Sequence, residues 1–467
     1  MRAVLSLLTI LTLAAVAILI ACSGGGGGST TRGGSTGTVN LTISDPSTCT
    51  APSGPYSNVY ITIADVKIHQ SATAGANDAG WVDLTPNLTP TQIDLLGTAN
   101  TSCFLASLGA NVEISAGSYQ QIRVILLDNS KASQVTGNKC AANAANCVVL
   151  ASNGSKQPLN LSSESTTGIK IPSGQMSGGQ FSVPAGQAKD LNIDFNACAS
   201  IVILGNGGYR LKPVLHAGQV SVNSSSISGK VVDSVTNAAI SGGKVVVALE
   251  QPDSGGVDRV MMETVPDAAG NFVFCPVMAG TYDVVVVAIN GSSTAYAPTI
   301  TTGVQPGNAL GTINLIAQTG ASSAPATITG QITTATATNT GALADISLST
   351  LESVGSTMVT IPQAATSSAT LSLATAAGAT CPANTDCVSY TVQVPAAMPN
   401  VGAFLSTGTN YTQATGSASY TLDALSFVPN SGGTADCTPS EQKSATPIAV
   451  TAGTTSNSPA LAFTGCQ

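Results

Sequence analysis

Few residues in this chain are equipped for acid–base or nucleophilic chemistry. His69 and His216 are the only imidazoles among 467 residues, and a serine or cysteine nucleophile needs such a base beside it to take its proton. The pattern around them puts His69 at the outer end of an alternating strand and His216 near a domain edge, so both are expected on solvated surface. Asp190 and Asp194 share one strand face but sit about 13 Å apart at roughly 3.3 Å per residue, too far for the roughly 5 to 9.5 Å of a glycosidase pair. Asp253 and Asp258 flank Gly255-Gly256, yet their spacing matches no EF-hand calcium loop. No Cys-x-x-Cys string occurs, which removes the commonest zinc signature. The glycine run after Ser23 neither follows a strand nor opens a helix, so it is not a phosphate cradle. The expectation is a protein with no catalytic residues, no metal and no cofactor.

Binding is the better class. Sugar-binding sandwiches present aromatic faces for ring stacking, and Trp81, Tyr60, Tyr119 and Tyr209 are the candidate platform. Tyr56, Tyr282 and Tyr296 are further aromatics of the same kind. Most of these read as core: Trp81 as a residue capping a sheet, Tyr282 as the interior of a strand.

The elements that would position these residues are strands. Val39, Leu41 and Ile43 alternate with Asn40 and Thr42, the two-residue period of a half-buried strand. Val59, Ile61 and Ile63 do the same until the parity slips near Asp65 before Val66 and Ile68, which predicts a β-bulge. Further strands are expected over 119–127, 190–195, 201–204 and 209–222, and a short helix within 91–108. Beyond Asn223-Ser224-Ser225-Ser226 the runs Val245-Val246-Val247 and Val284-Val285-Val286-Val287 are continuously apolar, as strands covered on both faces should be. The soft segment 320–325 precedes a Thr- and Ala-rich final part. There Ile328-Thr329-Gly330-Gln331-Ile332 echoes Ile227-Ser228-Gly229-Lys230-Val231, with Asp345-Ile346-Ser347 a looser counterpart of Ala239-Ile240-Ser241. The fold class expected is all-β, with tandem antiparallel β-sandwich domains at 39–222, 226–317 and, as a degenerate repeat, 326–467.

The N-terminus carries the address. Arg2, an apolar run from Ala3 to Ala21 and then Cys22 resemble a bacterial lipobox, in which residues 1–21 are removed and the new terminal cysteine is acylated. An uncleaved membrane span needs no small residue followed by cysteine at its end. Ser23 stands at the sorting position, and by the same resemblance the absence of Asp there favours the outer membrane, at its periplasmic face or the cell surface. Residues 22–38, nearly all Gly, Ser and Thr, form a flexible spacer with an average reach of about 20 Å. The membrane is thus one expected partner, through the lipid; a polysaccharide or another envelope protein is the second.

Composition agrees with export. Charged residues make up only 8% of the chain, against about a quarter in ordinary domains, so long amphipathic helices lack their polar faces. A net charge of −8 without any basic cluster excludes nucleic acid, whose phosphates demand grouped Lys and Arg. Setting Cys22 aside leaves ten cysteines, an even number suited to disulfides in an oxidising space. Cys140 with Cys147, Cys381 with Cys387, and Cys437 with Cys466 are the local pairs expected to close; the partners of Cys49, Cys103, Cys198 and Cys275 stay open.

Two family resemblances enter here. Ile227-Ser228-Gly229-Lys230-Val231-Val232-Asp233, Gly270-Asn271-Phe272 and Ala279-Gly280-Thr281-Tyr282-Asp283-Val284 make 226–317 look like the carboxypeptidase regulatory-like domain, a transthyretin-type sandwich. That resemblance implies an accessory module with a carbohydrate-binding-like fold and no catalytic residues. Residues 39–220 resemble a bacterial lipoprotein family known as domain of unknown function 4382, on Val59-Tyr60-Ile61-Thr62-Ile63, Gly80-Trp81-Val82-Asp83-Leu84, Thr167-Gly168-Ile169-Lys170, Asp194-Phe195-Asn196-Ala197 and Tyr209-Arg210-Leu211-Lys212-Pro213-Val214. Asn196 stands where that family commonly has a second acidic residue. The family implies no activity. The chain is therefore expected to be a non-catalytic envelope lipoprotein that binds or displays something, with carbohydrate recognition or a purely structural, adhesive role as its alternatives.

Overall fold

The computed structural model describes residues 35–45, 55–97, 103–220, 226–241, 244–319, 322–366, 368–429 and 436–466. Cys22, the leader and most of the spacer lie outside them. Residues 35–467 form one compact unit, and it is all-β, with helix confined to single turns.

The N-terminal part is a sandwich of two sheets. One runs in the order Leu215–Gln219, Ala188–Phe195, Thr36–Ser44, Ala106–Ser115; the other in the order Ile169–Pro172, Gln121–Leu126, Tyr56–His69, Cys147–Leu150, Lys156–Asn160, Tyr209–Leu211, Ile201–Ile203. The alternation does what period 2 requires: Val39, Leu41, Ile43, Ile61, Ile63, Ile193 and Phe195 are fully buried in one core. The parity slip near Asp65 is a bulge, the pairing with Gln121–Leu126 skipping a residue between Ile63 and Asp65. Of the helix expected within 91–108, nothing forms among the described residues. Thr91–Asp94 is a strand paired with Tyr56–His69, ended by Asp94, whose carboxylate accepts from the Val59 and Leu96 amides; Ala106–Ser115 is an edge strand paired with Thr36–Ser44. The expected 209–222 strand breaks in two around Pro213, whose ring nitrogen has no hydrogen to donate.

Residues 226–317 and 326–467 build a three-layered block. The middle layer is a single sheet in the order Thr412–Gln413, Asn400–Ala403, Thr299–Val304, Tyr282–Asn290, Val245–Pro252, Val257–Thr264, Thr357–Ile361, Asp345–Val354, Ser419–Phe427, Glu441–Lys443. The four strands from 245 to 304 lie in its midst, and the last region supplies a neighbour at each of their edges. Both joints are parallel: Val257 and Asp258 pair with Met358 and Val359, and Thr299 to Thr302 pair with Asn400 to Ala403. A sheet whose edges are occupied offers no template for stray pairing.

This explains the valine runs. Val245, Val247, Leu249, Val284 and Val286 face one core with Phe272, Phe274 and Ile313. Val246, Ala248, Val285 and Val287 face the other way, into a core with Ile328, Leu348 and Tyr420 of the last region. Each such side chain contributes on the order of 1.5 to 3 kcal/mol when buried, so both layers gain from the same strands.

The outer layers are built alike. Ile227–Asp233 lies between an antiparallel neighbour, Asn271–Phe274, and a parallel one, Ala309–Leu315. Ala326–Thr334 lies between antiparallel Asp386–Val394 and parallel strands at Thr455–Asn457 and Leu461–Phe463. Gly229 sits opposite Phe272 and Gly330 opposite Tyr390, each aromatic ring lying where a glycine β-carbon would be. The likeness continues past the strand. Val232 bridges to Ala239 and Ala335 to Gly341, and each turn carries a left-handed asparagine, Asn237 at φ 55° and Asn339 at φ 59°. The spatial counterpart of Ala239 is thus Gly341, not Asp345, which belongs to the next strand.

Cys140–Cys147, Cys381–Cys387 and Cys437–Cys466 are bridged. Cys103 and Cys275, 172 residues apart, join the first domain to the block, and Cys198 is disulfide-bonded as well. On a chain-entropy argument the long bridge stabilises most, roughly 4 to 5 kcal/mol against about 2 for the shortest loops.

Candidate functional site

The aromatic residues do not converge. Trp81 is half-buried: its ring nitrogen donates to the Gly75 carbonyl at 2.8 Å, the His69 ring lies 5.1 Å away and the Arg123 guanidinium 5.3 Å from its centroid. Tyr209 meets Tyr56 edge-on at 6.2 Å, while Tyr60 packs beside the Cys140–Cys147 bridge. Tyr119 is 1% exposed and donates its hydroxyl to the Ser115 carbonyl. Tyr282 is core, its hydroxyl on the Met278 carbonyl, and Tyr296 donates to Asp233. The acidic pair near Gly255-Gly256 also separates: Asp253 accepts from the Gly255 and Val257 amides and faces Arg259, whereas Asp258 is buried, its pKa pushed up to about 6 by burial and by the Asp283 charge. Among the described residues no group of three or more His, Cys, Asp or Glu is disposed to hold a metal.

What the fold does assemble is a polar seam between the first domain and the block. Its centre is formed by the successive strands Tyr209–Leu211 and Leu215–Gln219, one from each sheet, with the single helical turn Ala197–Ser200. Arg210 makes a two-pronged contact with Asp345, and Lys212, buried and therefore lowered to a pKa of about 8 despite the Asp345 charge that raises it, reaches Ser347. Ser372 donates to the Ala199 carbonyl at 2.6 Å and Ser177 to the Ala279 carbonyl at 2.8 Å.

Asn196 joins both sides. Its side-chain oxygen caps the helical turn by accepting from the Ala199 amide, and its side chain lies near the buried carboxyl of Glu263, whose pKa burial raises and Asn196 helps to lower. Glu263 also accepts from the Ala369 amide at 2.7 Å and from Ser368. Asp45 and Asp194 lie close by. Burial raises Asp45, and the Asp194 charge adds to it; burial pushes Asp194 to about 7, opposed by a hydrogen bond from Ser44. An aspartate in place of Asn196 would add a further carboxylate to this company, so the departure from the acidic pattern has a local electrostatic reason.

Beside the seam lies a cavity of about 720 Å³ whose wall all three segments share. The first domain supplies Met176, Asn196 and His216, the strands 245–264 supply Gln251, Arg259 and Met261, and the last region supplies Ser349 and Thr370. His216 is thus not on solvated surface. The same alternation that turns Leu215 and Ala217 into the first core turns His216 toward the block, and burial lowers its pKa to about 4, leaving the ring neutral. Its Nδ1 is enclosed and has no hydrogen-bond partner. Arg259 is held by three carboxylates, Asp253 at 3.0 Å, Glu441 at 2.7 Å and Asp423. Burial disfavours its charge, but Asp423 and Asp253 more than offset that and raise its pKa. Lys443 completes the cluster at 2.9 Å from Glu441. Sequence reading singled out neither Arg259 nor the cavity; the signal for the seam lay in the basic positions of Tyr209-Arg210-Leu211-Lys212, unusual on a strand that is otherwise interior.

Residues 36–213 match the family described as Domain of unknown function (DUF4382), and no curated protein matches the chain. Among solved structures the chain is similar to the Bacillus anthracis TIE protein, at 9% identity and a TM-score of 0.16, over 92% of this chain and 50% of that one; it spans half the length of that protein. It is similar to the shaft pilin SpaA from Lactobacillus rhamnosus GG at 11% identity and a TM-score of 0.19, over 61% of this chain and 98% of the pilin. A DUF3823 family protein from Bacteroides uniformis shares 12% identity at a TM-score of 0.16, over 44% and 90%. At TM-scores of this size the likenesses carry no argument about fold or function.

Proposed function

We propose that the chain is a non-catalytic, lipid-tethered envelope protein that holds a rigid β block away from the membrane as a binding and display module. The observation that carries the reading is the seam: Cys103–Cys275, Arg210–Asp345 and Ser372–Ala199 fasten the first domain to the block. The Cys22 lipobox and the spacer supply the tether, a spacer shorter than the expected 22–38 because the strand Thr36–Ser44 already takes residues 36–38, and the even set of cysteines suits an oxidising compartment. The resemblance of 226–317 to an accessory carboxypeptidase regulatory-like module supports the same class. Among the described residues no serine, threonine or cysteine side chain hydrogen-bonds a histidine, the first requirement of an activated nucleophile. No helix among them is long and apolar enough to cross a membrane.

The test is the fate of Cys22 in the native host. Mass spectrometry of the purified protein is expected to show residue 22 as the acylated N-terminus, and Cys22→Ala to move the protein from the membrane fraction to the soluble one. An intact, unmodified leader on the mature protein overturns the reading.

A further inference from the structure

We propose that the cavity at the junction binds a neutral, polyhydroxylated ligand of the size of a short oligosaccharide. This rests on the binding half of the reading above and names the ligand class of that site. The volume, about 720 Å³, falls in the ~300 to 1,000 Å³ range of small-molecule sites. Its charges are already committed. Arg259, the cation on its wall, is surrounded by Asp253, Asp423 and Glu441, so a phosphate, sulfate or carboxylate ligand would meet carboxylates wherever it met the guanidinium. A cationic ligand fares no better, since these carboxylates face Arg259 and Lys443 at hydrogen-bond distance.

Uncharged donors and acceptors fill the rest of the wall. Nδ1 of His216 is enclosed without an acceptor, so the neutral ring keeps its hydrogen on Nε2 and offers a donor. The Ser349 and Thr370 hydroxyls pair only with each other, at 3.2 Å, which leaves one hydroxyl hydrogen of that pair unspent. Gln175 adds an amide, and Gln251 another with one hydrogen already on the Thr281 carbonyl. Met176 and Met261 provide adaptable apolar surface of the kind that packs against the C–H edges of a sugar ring. The wall carries no Phe, Tyr or Trp among the described residues, so recognition here works by hydrogen bonds to hydroxyls and not by stacking on such a ring. Because three segments contribute, the site exists only while the seam is closed.

The test is calorimetric titration of the full mature chain with maltotriose, cellotriose and triacetylchitotriose, and with trigalacturonate as an anionic trisaccharide of equal size. At least one neutral trisaccharide is expected to bind with a Kd below about 1 mM, and trigalacturonate is expected not to. Met261→Trp, which narrows the cavity, should weaken that binding at least tenfold; Ser349→Leu is read in parallel in case the tryptophan variant fails to fold. The inference is overturned if none of the three neutral sugars binds, if trigalacturonate binds as tightly, or if a folded cavity variant binds like the parent. Acylation at Cys22 is unaffected by these variants, so loss of sugar binding and loss of tethering are read separately.

Discussion

Arg210 and Asp345, 135 residues apart in the chain, meet across the seam with the guanidinium Nε 2.8 Å from one carboxylate oxygen and a second nitrogen on the other. The Asp345 side chain is fully buried and that of Arg210 9% exposed, so neither can fall back on water. Removing one partner strands the other charge, which costs about 3 to 5 kcal/mol in buried pairs, whereas replacing both by apolar groups of similar volume is often neutral. Asp345→Ala is expected to lower the unfolding free energy by that amount in urea titration, and to depress the Lys212 pKa further by removing the charge that raises it. The pair Arg210→Met with Asp345→Leu should recover most of the loss. A midpoint for Asp345→Ala equal to the parent's would show that the contact ties nothing together.

Glu352 gives the protein a stability that falls with rising pH. It is 2% exposed, neither carboxyl oxygen has a partner, and it lies opposite Tyr420 in the central sheet. Burial raises its pKa from 4.5 to about 8. A group whose folded pKa is raised contributes stability that is fully present below the unfolded pKa and lost as pH rises through the folded one. Between roughly pH 4.5 and 8 the folded chain holds one more proton at this site, a slope of about −1.4 kcal/mol per pH unit. Asp194, pushed to about 7 by burial, works in the same sense. Urea midpoints measured across this range should fall, and Glu352→Gln should flatten the upper part of the curve; an unchanged profile in that variant would assign the effect elsewhere.

The paired glycines of the two outer layers are expected to resist any side chain. A β-carbon at Gly229 would stand 2.7 Å from a ring carbon of Phe272, and one at Gly330 would run into the Tyr390 hydroxyl. Forcing extra volume into packed sites costs about 1 to 3 kcal/mol. Gly229→Ala and Gly330→Ala should each show that loss in urea unfolding, and Phe272→Leu should lessen it for the first. If both alanine variants unfold like the parent, the aromatic cover is incidental.

How far the sequence could be read follows the range of the interactions involved. The bulge at Asp65 and the strand alternation were legible because period 2 is a local property, and the valine runs announced strands covered on both faces. What covers the second face was not legible: Met358 and Val401 reach their partners from about 100 residues away, and nothing local marks which strand completes an edge. Where a helix was expected to begin, Thr91–Asp94 pairs with Tyr56–His69 instead, a tertiary override of a weak local preference. The same limit hid the cavity. Short polar side chains such as Asn196, Gln251 and Ser349 look like ordinary surface in one dimension, and His216 looked solvated until the block was laid against it.

The joints at Val257–Met358 and Thr299–Asn400 set an order of events for a chain that is made N-terminus first. The four valine-rich strands are complete at Val304, while the segment that closes their far edge arrives roughly a hundred residues later. During that interval a greasy plank with two open sides stands exposed, unable to finish itself. Holding factors that mask nascent strands would have their heaviest duty here, and a message cut short after residue 317 would yield a sticky fragment and not a smaller working protein.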